Sequence, residues 1–433
     1  MNSKLFTIKE GINHEDYIIG IYHLETATED ILKKVEALAL EQSTGTWTKV
    51  PEETENIIEK YGARVLGIYE IPNYEDALPE NKIRNFVFLL GFPVQNISGQ
   101  IPQVLTALYG NISMAGKLKL LDIHFPLSFI KNYNGPKFGV DGMRRLLKVK
   151  DRPLVMVMFK PCVGMPPKML GKMFFELGMA GVDIIKDDEL LADPDFCTVP
   201  ERLEVCLKAA EKIYSETGRK VLYSLNITDN HDKMFEKARK AIKDGANSLM
   251  INTYTVGFSA MSALAEDKNI NVPILSHPDF AGAMFESPNY GLSSNLVLGK
   301  LARLSGADMV VYPSHYGKVL MLREKIIRIA QELLSPFYHL NRVFPCPSAG
   351  IHAGLIGKLM NDVGNDILIG AGGGVHGHPM GLKAGVEAFH QAINAAMKNI
   401  PLEKACRNNK ELNAAIQKWG VYGDKSKGYD LAK

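Results

Sequence analysis

A closed (β/α)8 barrel preceded by an α+β domain is the fold class that this 433-residue sequence predicts, on three observations. Past residue 150, eight short, continuous apolar runs recur, each followed by a segment of helical period. Runs of that kind suit parallel strands buried on both faces. Eight βα units in about 250 residues is the count and length of a closed barrel. A doubly wound open sheet would usually carry a glycine fingerprint on its first βα turn, and here that turn reads KPCVG.

Residues 1–135 read as the α+β domain, ferredoxin-like in its mixture. YIIGIYHLE (17–25), ARVLGIYEI (63–71) and NFVFLLGFP (85–93) have the look of strands, and TEDILKKVEALALEQS and IPQVLTALYGNI that of helices. PKFGVDGMRRLL (136–147) links this part to the barrel, expected over 136–400. The barrel strands are LVMVMFK (154–160), VDIIK (182–186), VLYSLNI (221–227), SLMIN (248–252), PILSH (273–277), ADMVVYP (307–313), VFPCPS (343–348) and DILIG (366–370). The segment 401–433, rich in Lys and Asn, reads as a helical, partly frayed tail.

Composition narrows the function classes. Fifty Lys+Arg against 48 Asp+Glu leave a formal charge of +2, too near neutral to argue for nucleic acid or a membrane surface. Phosphate recognition must therefore be local. Five cysteines without CxxC or metal-ligand spacing suit a reduced, cytoplasmic compartment. The N-terminus has no apolar core of the signal-peptide kind, and no run approaches the roughly 20 residues of a spanning helix.

Barrel chemistry sits at the C-terminal ends of the strands. Strand one ends in Lys160, strand two in Lys186, Asp188 and Glu189, and strand five in His277. Strand six leads into PSHYGK with His315 and Lys318. Strand seven ends in Ser348-Ala349-Gly350 and strand eight in Gly372-Gly373-Gly374, where backbone N–H groups can cradle a phosphate. Taken singly, each has a bland reading as a solvated strand end or a tight turn. Their convergence on one face favours a site.

The stretch GVDIIKDDE (181–189) is the densest of these ends. Asp188 and Glu189 offer hard oxygen ligands of the kind Mg²⁺ takes. Burial and a neighbouring ion push a lysine toward its neutral amine, and a neutral amine can take up CO₂ as an anionic carbamate. Lys186 could thereby become the third oxygen ligand.

GVDIIKDDE resembles the G-x-D-x-x-K-x-D-E segment of the RuBisCO superfamily. EQSTGTWT (41–48), YGN (109–111), GPKFGV (135–140), FKP (159–161), LSGAD (304–308), PSAGIH (347–352) and GGGVHGHP (372–379) resemble further family segments, in family order. The resemblance implies Mg²⁺ held by carbamylated Lys186, Asp188 and Glu189. It implies an acid/base role for Lys160, a strand-five role for His277 and a mobile-loop role for Lys318. It makes Ser348, Gly350, Gly372 and Gly373 substrate and phosphate contacts. Glu41, Thr46, Trp47 and Asn111 match residues that reach a neighbouring subunit's barrel, which implies a homodimer with shared sites.

The departures from that pattern are as informative. Cys162 stands where RuBisCO has a second lysine after K-P, Pro278 replaces an arginine, and Val311 replaces the strand-six histidine. The last two would be contacts to a second phosphate, so the resemblance implies a RuBisCO-like (type IV) protein with a monophosphorylated, sugar-like substrate. Carboxylation of ribulose bisphosphate does not fit that loss, and a non-catalytic role does not fit the intact Lys186/Asp188/Glu189 set. Decarboxylation of a 3-oxo sugar acid phosphate (3-oxo-isoapionate 4-phosphate type) is the expected reaction, because Lys318 and Glu41 would hold a carboxylate. The alternatives are the 2,3-diketo-5-methylthiopentyl-1-phosphate enolase of methionine salvage and a methylthio-sugar phosphate isomerase. That enolase branch places a lysine base where this chain has Asn111.

Overall fold

The computed structural model describes residues 5–422, so the end of the expected C-terminal tail, 423–433, lies outside the described residues. The chain forms two compact units: one up to Asn134 together with Phe280–Val297, the other Gly135–Asp279 with the chain from Leu298 on.

The first unit is built on a five-stranded sheet. Strand β1 (Tyr17–Thr26) pairs antiparallel with β3 (Arg84–Pro93) and with β4 (Lys117–His124), and β2 (Arg64–Glu70) takes the edge beside β3. Three of these strands are the expected ones, and β4 was not anticipated. Its alternation is broken by a register shift opposite Ile21 and Tyr22, so Leu118, Leu120 and Ile123 fall out of a simple period of two. The helix Ile31–Glu41 begins where the Asp30 side chain accepts from the Lys33 N–H at 2.9 Å. The helix Ile101–Tyr109 has a proline in its first turn, where no N–H is missed. Tyr22 ties this helix to the sheet, donating to the Leu108 carbonyl at 2.7 Å.

The second unit is the barrel. Its eight parallel strands are β5 (Leu154–Met158), β6 (Ile184–Lys186), β7 (Leu222–Asn226), β8 (Ser248–Asn252) and β9 (Ile274–His277), then β11 (Met309–Pro313), β12 (Phe344–Ser348) and β13 (Leu368–Ala371). The sheet runs in chain order from β5 to β12, and β13 pairs with β5 to bring its ends together. Each strand lies within the run the sequence marks for it, give or take a residue. Leu154, Met156, Ile184, Leu222, Met250, Leu275, Met309, Phe344 and Leu368 fill the interior, with Val140 and Met143 of the helix Gly139–Leu147 packed among them. The start of that helix is pinned by Asp308, whose carboxylate accepts from the N–H groups of Phe138, Gly139 and Ile274 at 2.7–2.9 Å. The longest helix, Val199–Thr217, carries a capping box between Thr198 and Glu201 and ends at left-handed Gly218.

One βα unit breaks the regular pattern. After β9 the chain supplies Phe280–Val297 to the first unit, where β10 (Gly291–Leu292) runs parallel to β4. Lys119 secures this segment by donating to the Phe285 and Ser287 carbonyls. A π-helical stretch, Leu296–Leu301, then leads to β11. Among the described residues, no helix is long and apolar enough to cross a membrane.

Candidate active site

Strand alternation sorts the polar residues that end β6. Successive side chains point to opposite faces, so Lys186 and Asp188 share one face and Asp187 takes the other. Asp187 is fully buried and wholly engaged: Arg202 Nε donates to it at 2.9 Å, Tyr223 OH at 2.6 Å and the Asn226 N–H at 2.9 Å. Arg202, itself fully buried, also donates to the carbonyls of Cys197, Ala192 and Asn226. Asp187 therefore anchors the Val199–Thr217 helix to the barrel, on the face away from Lys186 and Asp188. Arg202→Met should leave a buried carboxylate uncompensated, costing about 3–5 kcal/mol. Denaturant unfolding of the variant checks this.

The other three residues meet their neighbours at the barrel mouth. Asp188, fully buried, accepts from Lys160 Nζ at 2.5 Å and from the Leu190 N–H at 3.2 Å. Lys160 also lies 3.1 Å from Cys162 Sγ. Lys186 Nζ, without solvent exposure, donates to the Asp187 carbonyl at 2.7 Å and to Glu189 Oε2 at 3.2 Å. His277 Nε2 stands 3.4 Å from the same Glu189 oxygen, and its Nδ1 is 3.4 Å from Asp279. Asn226 and Asn252 each donate to the Glu189 carbonyl at 3.2 Å, which fixes the backbone there.

The electrostatics follow from these contacts. Burial would raise the Glu189 carboxyl, but Lys186 and His277 outweigh it and hold the group down at about 2. Burial pushes His277 below its usual range, and the Lys186 charge adds to the effect. For Lys160, burial opposes the charge, yet the bonds to Asp188 and Cys162 leave it above the ordinary lysine value.

These residues fit a hard divalent cation. Asp188 and Glu189 bring oxygen donors, and the buried Lys186 amine meets Glu189 directly, so a carbamate there would extend the oxygen set. A second candidate set is Glu189, His277 and Asp279, whose ligand atoms lie within 4.8 Å of one another. A histidine nitrogen suits softer ions than Mg²⁺, which favours the first set for magnesium. Asp279 was missed in the sequence, where its only signal is its place two residues beyond a strand-end histidine.

The late strands bring the glycines to the same mouth. A Cβ on Gly372 would lie 2.7 Å from Met158 Sδ and 3.3 Å from Lys160 Cε, so this glycine lies close against Lys160. Gly373 opens the short helix Gly373–His376, whose first N–H groups have no intrahelical acceptor. Gly350 adopts φ +100°, and a Cβ there would lie 2.5 Å from the Lys318 nitrogen. The Lys318 N–H donates to the Ala349 carbonyl at 2.6 Å, so its loop is tied to the end of β12 with the side chain exposed. Ser348 is buried, its hydroxyl 3.4 Å from the Gly370 carbonyl. Val311 belongs to the barrel core, and neither it nor Pro278 has a side-chain donor for an anion. His376, not anticipated, sets Nε2 at 2.9 Å from the Met158 carbonyl beside Lys160.

Glu41, Thr46, Trp47 and Asn111 belong to the first unit, where all four are exposed. Asn111 donates to Glu41 at 3.1 Å. Trp47 is 91% exposed, an unusual state for the largest apolar side chain.

Known proteins are similar to this chain over nearly its whole length. Residues 139–419 match the ribulose bisphosphate carboxylase large chain, catalytic domain, and residues 8–129 match its N-terminal domain. A ribulose bisphosphate carboxylase-like protein of Archaeoglobus fulgidus is 47% identical over 415 residues, 95% of each chain. A 2,3-diketo-5-methylthiopentyl-1-phosphate enolase of Geobacillus thermodenitrificans is 38% identical, covering 93% of this chain and 98% of its own. The crystal structure of a rubisco-like protein from Alicyclobacillus acidocaldarius superposes with a TM-score of 0.86 at 36% identity, covering 94% of this chain and 100% of its own. With two domain matches in tandem and full-length relatives well above 30% identity, the chain belongs to the RuBisCO large-chain family, as a RuBisCO-like protein.

Proposed function

We propose that the chain enolises a monophosphorylated, sugar-type ketone, with Mg²⁺ and a CO₂-derived carbamate on Lys186 completing the site. The observation that carries this reading is the meeting of Lys160 with Asp188, and of Lys186 with Glu189 and His277, at one barrel mouth. Lys186 as carbamate, Asp188 and Glu189 would hold the ion, which supplies Lewis-acid polarisation of the ketone when bound. Lys160, kept protonated beside Asp188, is placed to give a proton and then to act as base. His277 stands against the same Glu189 oxygen as Lys186 and helps to position that carboxylate.

The phosphate end of the substrate goes to Gly350, Gly372 and Gly373, with Ser348 beside them. Thr46 and Trp47 would close that end from the partner copy of a homodimer, with Glu41 and Asn111 reaching the reacting end; their exposure supports the role. The absence of side-chain donors at Pro278 and Val311 supports one phosphate rather than two. Five unpaired cysteines, three of them buried, support a reducing, cytoplasmic setting.

The leading substrate is 2,3-diketo-5-methylthiopentyl 1-phosphate, the compound in the names of the enolase relatives. Decarboxylation of a 3-oxo sugar acid phosphate is the second reading. It is favoured by the exposed Lys318 ammonium and by Asn111 in place of a lysine. Isomerisation of a methylthio-sugar phosphate would use the same residues.

Lys318→Met separates the two. A decarboxylase needs a cation to hold the departing carboxylate, so its CO₂ release should fall roughly 10²-fold. An enolase acting on a neutral diketone has no such anion and should lose less than about threefold. CO₂ release from the 3-oxo acid, measured beside ketone α-proton exchange by NMR, reads both. Turnover of neither compound by the parent enzyme with Mg²⁺ and bicarbonate would contradict the proposal.

A further inference from the structure

A cavity of about 1100 Å³ opens at the opposite end of the barrel from Lys160 and Lys186. Chain order fixes its place. Arg152, Asp183 and Lys220 line it, and each lies one or two residues before a barrel strand begins. A five-residue strand separates the two mouths by about 16 Å.

Seven cationic side chains and two carboxylates line this cavity, in a chain whose total charge is only +2. Three of the cations are committed. Arg152 makes a two-pronged pair with Asp183, both contacts at 2.7 Å, and Asp183 also accepts from the Val155 N–H. Lys137 donates to the Asp267 and Ile270 carbonyls, and Arg219 to that of Gly178. The remaining four, Arg145, Lys148, Lys150 and Lys220, are exposed and make no side-chain hydrogen bond or ion pair among the described residues. The Arg152 pair already uses Asp183, which leaves Asp151 alone to offset them.

Four uncommitted cations around one concavity raise each other's energy and concentrate anions. The C-terminus of the helix Gly139–Leu147 gives a local reason for Lys148, through the helix dipole. Lys220, in the turn before β7, has the same local reason at the end of the helix Val199–Thr217, two residues past its Gly218 cap. Lys148 also holds a left-handed conformation, φ +57°, which glycine adopts at lower cost. Asn271 and Asn394 add neutral donors, and the Tyr214 ring, 53% exposed, adds a flat face. A single anionic group brings too little charge to offset four cations, whereas a chain of adjacent anionic groups brings a charge for each.

We propose that this cavity binds a small compound carrying two or more adjacent phosphate groups, at a site separate from the catalytic phosphate cradle. Calorimetric titration of the full chain with inorganic tripolyphosphate, at low ionic strength, tests it. The double substitution Lys148→Glu and Lys220→Glu should weaken binding at least about tenfold, equivalent to about 1.4 kcal/mol. The same charge change at Lys33 and Lys172, exposed lysines outside the cavity, should leave binding within about twofold. Thermal melting and turnover should be unchanged in both variants, and orthophosphate should bind at least about tenfold more weakly than tripolyphosphate. The inference is overturned if tripolyphosphate fails to bind the parent, if both double variants weaken it alike or neither does, or if orthophosphate binds as well.

Discussion

Lys186→Met is expected to lower turnover by at least about 10³-fold, with the barrel still folded. Lewis-acid polarisation contributes several kcal/mol to such a reaction, and each 1.4 kcal/mol or so is tenfold in rate. Methionine keeps the length and apolar stem of the buried side chain but offers neither an ammonium for Glu189 nor an amine for CO₂. The measurement is exchange of a ketone α-proton with D₂O, followed by NMR with Mg²⁺ and bicarbonate present, and far-UV circular dichroism monitors the fold. A variant that retained the parent rate would remove the carbamate from the mechanism.

Lys160→Met should cost about 10²- to 10⁴-fold in the same exchange, the usual range for a positioned acid or base. Its signature differs from that of Lys186→Met. Asp188 remains and loses its 2.5 Å partner, so Mg²⁺ affinity should hold or rise while the proton-transfer step fails. Titration of Mg²⁺ against both variants, by calorimetry, separates a lost base from a lost ligand. Equal loss of metal affinity in the two would mean that Lys160 serves the ion and not the proton.

Much of this was legible in the residues because burial on both faces writes itself into sequence. The β5–β9 and β11–β13 strands are short apolar runs, and parallel strands inside a barrel can be little else. β10 left no such mark: two residues, Gly291 and Leu292, are too few to show a period of two. β4 was hidden by its bulge.

The site was legible to a similar depth. Strand-end position alone nominated Lys160, Lys186, Asp188, Glu189 and His277, and the structure brings these five together. The separation of Asp187 from Asp188 follows from a period of two, yet the reason it matters, Arg202, lies 15 residues on, in the first turn of the next helix. Asp279 and His376 were not nominated, since neither sits in a pattern that periodicity can detect. Glu41, Thr46, Trp47 and Asn111 form no part of any strand-end pattern. They were nominated by resemblance alone.

On the proposed function, Lys186, Asp188 and Glu189 form the metal site of an enolising enzyme. A crystal structure of the protein grown with Mg²⁺ and bicarbonate is the decisive measurement. That structure should show a carbamate on Lys186, with its oxygen and those of Asp188 and Glu189 all coordinating one ion, and Lys160 released from Asp188. A bare Lys186 still paired with Glu189, or an ion held instead by Glu189, His277 and Asp279, would contradict it.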